Sequence, residues 1–415
     1  MAKYMCARTV APAAQNNPTF KIHRSLVFLR TKACSLLLVV LALLAAVHST
    51  PAQNPVITSF RGNGVLVCSN LNPGSAAAVE WASSAAGPWQ SDWTSLSAVP
   101  VPSNRTVQVS VPMFYRARGV TGTNFAPAGM ALIPAGLFTI GDTLGDAFND
   151  QQDAVPTNVS VSAFYIDLYP VTYTLWQTVA TYALSHGYSF VVSGAGKAAN
   201  HPVEGILWSD CVKWCNARSQ QAGLTPVYYT DSALTSIYTN APYVAVYANW
   251  TNTGYRLPTE AEWEKAARGG VRGQRFPSGN TISRSDANYD SSTGLQTSFR
   301  TYDLAPGAGW DPAFATGAQP YTSPVGTFAP NGYGLYDTSG NVFQWCWDWY
   351  AGKPYPAGSA YSGGNDPRGP ASGNTKVARG GSFNSYPYDV RCATRFAYST
   401  NYATLTLGFR CARRP

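Results

Sequence analysis

The pattern of apolar and polar positions divides the chain into two textures. Between residues 54 and 120 apolar residues recur in short runs, Pro55–Phe60, Gly64–Cys68, Ala78–Ala82, Thr106–Val111 and Phe114–Arg118, set apart by Gly, Pro, Asn and Ser. Short β-rich runs bounded by turn residues predict strands, and five in succession predict a small all-β sandwich. Trp81, Trp89 and Trp93 are its candidate core, with a carbohydrate platform as the other use of such rings. Cys68 sits in an apolar run and reads as a small buried hydrophobe. Residues 119–128 (GVTGTNFAPA) read as a linker.

From Gly129 onward the periodicity changes. Met130–Ile140 and Phe164–Leu168 predict strands. Thr172 is a good helix cap, and Trp176, Val179, Ala180 and Leu184 keep helical spacing up to Gly187. A second helix is expected from about Ser209, also a cap candidate, to Gln221. The third is written in PTEAEWEKAARGG: Thr259 caps, Glu262 three residues on completes a capping box, and Gly269 closes it. After Gly270 helical spacing all but disappears. The second unit, 129–415, is therefore α+β with very long irregular loops. Such a chain needs pins: disulfides, metal ions or buried aromatic rings.

The amino end changes how the charge is read. Residues 1–50 hold six basic residues and no acid, then the apolar run Ser35–Val47 and small residues around Ser49 and Ala52. Thirteen residues are short for a hydrocarbon core of about 30 Å but suit a signal-peptide core. Residues 1–52 are read as a signal peptide, a membrane anchor being the alternative, with no later membrane span. No Cys ends the run, which argues against a lipid anchor. The mature protein is expected in a secreted or periplasmic, extracytoplasmic setting. The formal charge of +8 then shrinks, leaving 23 basic against 21 acidic residues, so nucleic acid is not an expected partner. With 45% hydrophobic residues the rest has ample core, which excludes global disorder.

An oxidising compartment makes the cysteines informative. Cys68, Cys211, Cys215, Cys346, Cys392 and Cys411 remain after the signal, in no zinc spacing and with only four His in the chain. Two or three disulfides are the expected use.

The phrases GMALIPAG, YPVTYTLW, HPVEGILWSDCVKWC, GYRLPTEAEWEKAARGG, NGYGLYDTSGNVFQWCWDWY, RGGSF and LGFRC follow one another in that order. Together they resemble the formylglycine-generating enzyme (sulfatase-modifying factor) family over roughly residues 129–415. The resemblance implies a C-type-lectin-like fold. In the enzymes two cysteines hold copper and a sulfatase cysteine is oxidised to formylglycine. Here Ser385 stands at the first cysteine position and Val390, or Asp389 on a shorter count, at the second. Cu(I) is soft and takes thiolates, so copper-dependent oxidation by the family mechanism is not expected. An iron facial triad is rejected, because His186 and His201 are fifteen residues apart on different elements.

The resemblance further implies a Cys215–Cys411 disulfide. Cys392 matches a bridged cysteine whose partner position is Ala267 here, and Cys346 is expected to take that place, giving Cys346–Cys392. Cys211 reads as a buried thiol, and a Cys346/Cys392 copper pair is the sharper alternative. Asp337, Gly340, Val342 and Gln344 match a calcium site of the family, Gln344 replacing a Glu, while Asn288 and Tyr289 match half of another. A turn-capping pair is the plainer use of Asp337 and Gln344. Ser382 and Arg395 match groove residues, Phe343 replaces a groove Trp, and Ser385 and Tyr386 complete the candidate ligand face. Arg395 could equally anchor a loop through backbone carbonyls. The segment Asn384–Thr406, rich in Tyr, Ser, Thr and Asn, also resembles the variable proteins of diversity-generating retroelements, although such residues fill loops throughout the chain. The expected function is a secreted, calcium-stabilised module binding a peptide or surface ligand, a sulfatase-like protein among the candidates. The alternative is a formylglycine-generating oxidase with a departed mechanism.

Overall fold

The computed structural model describes residues 126–146, 155–240, 245–292 and 302–415 in full, and before them only the strand segments 56–60, 66–69, 76–82 and 114–120. The expected signal segment lies outside the described residues, as do the predicted strand Thr106–Val111 and the side chains of Trp81, Trp89 and Trp93. The chain divides into two units, Met1–Phe125 and Ala126–Pro415.

Among its described residues the first unit shows four strands in two antiparallel ribbons. β1 (Val56–Phe60) pairs with β2 (Leu66–Ser69), and β3 (Ala76–Ala82) with β4 (Phe114–Val120). Four of the five predicted strands are therefore present. Two separate ribbons do not by themselves make a sandwich.

In the second unit, the apolar run expected as one strand is two. Pro134 has no amide hydrogen to give a ladder, and the run splits into β5 (Met130–Ile133) and β6 (Gly136–Ile140). β5 pairs with β8 (Phe164–Asp167), whose other side takes β16 (Ala412–Arg413); β6 pairs with β7 (Thr157–Val161), flanked by β12 (Gly364–Asn365). A short ribbon joins β9 (Tyr228–Tyr229) to β10 (Tyr247–Ala248). The largest sheet among the described residues has the order β14 (Arg395–Tyr398), β13 (Lys376–Arg379), β11 (Phe343–Trp349), β15 (Leu407–Gly408).

Three helices were expected and all are present among the described residues. α1 (Tyr173–Ser185) is capped by Thr172, whose hydroxyl accepts from the Leu175 amide at 3.2 Å. α2 (Trp208–Gln221) starts one residue before the expected cap: Leu207 is the cap residue, with no side-chain bond, and Ser209 lies inside the helix. α3 (Glu260–Ala267) carries the full capping box, Glu262 N to Thr259 Oγ1 at 3.2 Å and Thr259 N to Glu262 Oε2 at 2.8 Å. No helix among the described residues is long and apolar enough to cross a membrane.

Aromatic rings and buried ion pairs hold the irregular chain. Trp176 and Trp214 stack at 5.8 Å, and Phe409 meets both edge-on. The second pin is electrostatic. Glu264, fully buried, accepts from Arg268 Nε at 2.9 Å and Nη2 at 2.7 Å, from the Gly141 amide at 2.8 Å, and from Arg379 Nη2. Burial opposes its charge, but the two guanidiniums prevail and hold its carboxyl below the usual value. Arg256 and Glu262 form a bidentate pair at 2.6 Å on both arms, and Arg218 does the same with Asp167 at 2.7 and 3.0 Å. Each guanidinium supplies a planar fork that matches a carboxylate and ties separate stretches of loop together.

Candidate functional site

Residues 380–394 link β13 to β14, and close approaches within and beside this link rest on two glycines. Gly381 has φ +70°, and a Cβ there would lie 2.5 Å from Val390 Cγ1. Gly340 has φ +72°, and a Cβ there would lie 2.1 Å from the Asn288 carbonyl oxygen. Any other residue would push these strands of loop apart.

The two positions that hold copper thiolates in the resembling enzymes have different jobs here. Ser385 is buried and its hydroxyl lies 3.1 Å from Ser382 Oγ, also accepting the Ser382 amide at 3.0 Å. Ser382 Oγ accepts the Asn384 amide at 3.2 Å, and the Ser385 carbonyl accepts from the Asp290 amide at 2.9 Å. Among the described residues these hydroxyls bond to each other and to backbone, not to a base. They close a turn. Val390 is fully buried with Phe276, Ile282, Ala287, Tyr289 and Tyr302, and Asp389 Oδ2 accepts the Tyr386 amide at 3.1 Å. A hydroxyl, a carboxylate and an isopropyl group are not ligands for Cu(I).

Of the expected ligand-facing residues, Tyr386 is half-buried beside Tyr388, ring centres 5.6 Å apart. Arg395 is turned inward. Its Nε and Nη2 meet Glu260 at 2.6 and 2.8 Å, its Nη1 reaches the Ala351 carbonyl at 2.9 Å, and it lies 4.5 and 4.4 Å from the Tyr350 and Tyr361 ring centres. This is the loop-anchoring use, because a carboxylate in low-dielectric surroundings outcompetes solvent for the guanidinium. Phe343 is likewise buried, edge-on to Phe396 at 4.6 Å and to Tyr398 at 5.6 Å. Ser382, Ser385, Arg395 and Phe343 are thus framework, and Tyr386 alone of the five keeps solvent access.

Three residues that sequence reasoning did not single out form the outer face. Trp310, 38% exposed, donates its indole N–H to Asn384 Oδ1 at 2.9 Å and meets Tyr321 edge-on at 5.0 Å. Lys197 stands 5.7 Å over the Tyr321 ring and donates to the Phe314 and Thr316 carbonyls at 3.0 and 3.2 Å. The signal for Trp310 was a lone indole in a Gly- and Pro-rich run, where core packing is not the default.

The resemblance implies calcium near Asp337, and its fit can be read from hydrogen bonds. Gln344 Oε1 accepts from Trp263 Nε1 at 2.8 Å and Arg410 Nε at 2.6 Å, while its amide donates to the Asp337 carbonyl at 2.7 Å. Both lone-pair directions of that oxygen are taken. Asp337 accepts the Gly326 amide at 2.7 Å and Asn341 Nδ2 at 3.3 Å, and burial raises its carboxyl pKa. Arg410, fully buried, also donates to the Asp337 carbonyl at 3.0 Å, so a fixed cation already sits there. With Gly340 and Val342 lending only carbonyls to the expected set, the four groups as arranged do not fit a calcium ion. At the half-site, the Asn288 carbonyl accepts the Asn341 amide at 2.8 Å, and the buried Tyr289 donates to Asp303 at 2.6 Å. Among the described residues no three His, Cys, Asp or Glu side chains are grouped to hold a metal.

The cysteines meet as expected but as thiols. Cys215 and Cys411 have sulfurs 3.6 Å apart, beyond the bonded distance of about 2.05 Å. Cys346 and Cys392 share one cluster with Ala267, Trp263 and Val377, so the replacement position and both cysteines do converge. Burial raises the pKa of all four thiols whose shift is resolved: Cys211, Cys215 and Cys346 strongly, and Cys392 to about 12.

Few helices, curled sheets and long pinned loops place the second unit in the C-type-lectin-like class. The sulfatase-modifying factor enzyme 1-like domain matches residues 119–415. A formylglycine-generating enzyme of Thermomonospora curvata is 33% identical over 310 residues, covering 69% of this chain and 94% of that protein. A chaperone protein LppX of Paenibacillus barcinonensis is 35% identical over 243 residues, covering 56% of this chain and 80% of that protein. Among solved structures, Treponema denticola variable protein 1 is 30% identical with a TM-score of 0.51, covering 69% of this chain and 95% of its own. The chain belongs to the sulfatase-modifying factor (formylglycine-generating enzyme) family.

Proposed function

We propose that this family member is an extracytoplasmic ligand-binding module that does not perform copper-dependent cysteine oxidation. One observation carries the reading: the two thiolate positions are occupied by Ser385, locked in a turn with Ser382, and by Val390, sealed in an apolar cluster. Neither can be swung into a soft-metal site without dismantling the loop. Trp310, Tyr321 and Asn384 form an aromatic and amide-bearing face with solvent access, and half-buried Tyr386 follows two residues after Asn384 in the chain. Rigid amphipathic rings beside hydrogen-bonding amides suit recognition of a peptide or a surface ligand. That a relative is named a chaperone protein and a structural neighbour a variable protein is in keeping with roles other than oxidation within this frame.

The test presents the purified full chain, with copper and oxygen, to a sulfatase-type CxPxR peptide. The reading predicts no formylglycine by mass spectrometry, and weaker binding of any captured peptide when Trp310 is replaced by Ala. Turnover would refute it and direct attention to Cys346 and Cys392.

A further inference from the structure

Two half-buried rings on the loop between β10 and α3, Trp250 and Tyr255, each carry two arginines. On Trp250 the guanidinium carbons of Arg256 and Arg368 stand 5.0 and 4.5 Å from the ring centre. On Tyr255 those of Arg218 and Arg413 stand 3.9 and 5.6 Å away. In each pair one arginine is matched and the other is not. Arg256 holds Glu262 and Arg218 holds Asp167, each through two bonds. Among the described residues Arg368 and Arg413 make no side-chain hydrogen bond and touch no carboxylate, and Arg413 Nε is buried with nothing to receive it. Asp366, two residues before Arg368, attracts it, but gives its two oxygens to the Ser162 amide and hydroxyl, each at 2.6 Å. Bonds of 2.9 and 2.7 Å between Arg256 and Ala412 set β16 beside this loop, and Arg414 Nη1 reaches the Thr251 carbonyl at 3.4 Å. Arg368 and Arg414 are exposed, and Arg413 is half-buried.

A guanidinium laid against a ring is pre-positioned, and its N–H edge stays available to an oxyanion. The matched pairs show what that edge takes in this fold: a carboxylate, gripped by two bonds. The unmatched arginines offer the same chemistry to another molecule. Three such cations against the committed carboxylate of Asp366 leave a local positive excess, in a chain that is close to neutral after residue 50. One exposed ion pair contributes little, so the occupant has to engage several of them together. We infer that Arg368, Arg413 and Arg414, around Trp250 and Tyr255, form a docking surface for an acidic segment of a partner protein, with Asp or Glu side chains at short spacing. Its carboxylates seat on Arg368 and Arg413 as Glu262 and Asp167 seat on Arg256 and Arg218, and Arg414 adds a third contact. The surface shares no residue with the Trp310 face and is tested apart from it.

The probe is hexaglutamate, followed by hydrogen-exchange mass spectrometry of the full chain, which reads the site itself rather than total binding. At about 50 mM salt and saturating peptide, exchange across 249–256, 366–370 and 411–415 should slow by about twofold or more, and about 300 mM salt should erase the effect. Hexaserine should give no protection. The triple variant Arg368→Gln, Arg413→Gln, Arg414→Gln should lose the protection by hexaglutamate. If that variant does not fold, the double variant of the two exposed residues, Arg368→Gln, Arg414→Gln, should lose most of it. Trp310→Ala should keep it, and loss there would place the peptide on the other face. Protection that survives the arginine variants would overturn the site. A sulfated hexasaccharide that protects the same segments at a tenth of the peptide concentration would overturn the acidic-peptide assignment in favour of a glycan. No protection by hexaglutamate in the unaltered chain would overturn the proposal outright.

Discussion

Replacing Glu264 by Gln tests whether buried ion pairs hold this loop-rich frame. The carboxylate is fully buried and joins α3 to β13 and to the loop after β6, through Arg268, Arg379 and the Gly141 amide. A Gln oxygen can keep the bonds on one side, but its amide nitrogen then faces the Arg379 guanidinium, donor against donor. Two buried cations would share what remains, with Glu260 at 3.5 Å from Arg379 Nε as the nearest other acid. Removing one partner of a buried pair costs about 3–5 kcal/mol, a large share of the roughly 5–15 kcal/mol that stabilises a typical protein. With an m-value of about 3 kcal/mol/M, the urea midpoint read from Trp fluorescence should fall by about 1–1.7 M. The double variant Glu264→Gln, Arg379→Met should recover part of the loss, since it removes the stranded charge as well. The pH dependence has a definite sign. Because the folded pKa lies below the ordinary 4.5, the contribution is present above pH 4.5 and lost as pH falls through the folded value. A midpoint shift under roughly 0.5 M, or a double variant worse than the sum of the singles, would refute the reasoning.

Three further outcomes follow from the geometry. The 3.6 Å approach of the Cys215 and Cys411 sulfurs, and the shared cluster of Cys346 and Cys392, place each pair to close on oxidation, so non-reducing peptide mapping of oxidised protein should recover Cys215–Cys411 and Cys346–Cys392, with Cys211 alkylated only after unfolding; Cys346 and Cys392 still free after oxidation would contradict the pairing. Adding EDTA should leave Tm unchanged, because Gln344 is already held by Trp263 and Arg410; a fall of several degrees would restore calcium to the Asp337 loop. Burial raises Glu204 to about 7 from 4.5, so its neutral form favours the fold at low pH and that stability is lost as pH rises through 7. Glu204→Gln should therefore match the parent Tm near pH 4 and exceed it by about 3 °C at pH 8, and a constant difference across that range would contradict the assignment.

How much could be seen beforehand varies with the range of the interaction. The capping box of α3 is a contact across three residues, and it reads directly from Thr259 and Glu262. The break at Pro134 was equally local but was outweighed by the apolar run around it. Cap chemistry at α2 misled by a residue, because α2 is so thoroughly buried that packing, not Ser209, sets its start. Arg395 could not be settled from sequence: its partner Glu260 is 135 positions away, and only the fold brings the two together. The same holds for Gln344, whose replacement of a Glu looked like a weakened metal ligand. It is instead the hub between Trp263, Arg410 and the Asp337 carbonyl. Trp310 escaped notice because exposure in a long loop depends on where distant segments, here Asn384 and Tyr321, come to lie.

The central claim is that a frame belonging to the formylglycine-generating family has lost its thiolate chemistry and kept a recognition face. The most direct measurement is an aerobic, copper-supplemented reaction of the full chain with a CxPxR peptide, read by mass spectrometry. The account predicts an unmodified cysteine at every time point, since Ser385 and Val390 supply no thiolate. Conversion of that cysteine to formylglycine would contradict it.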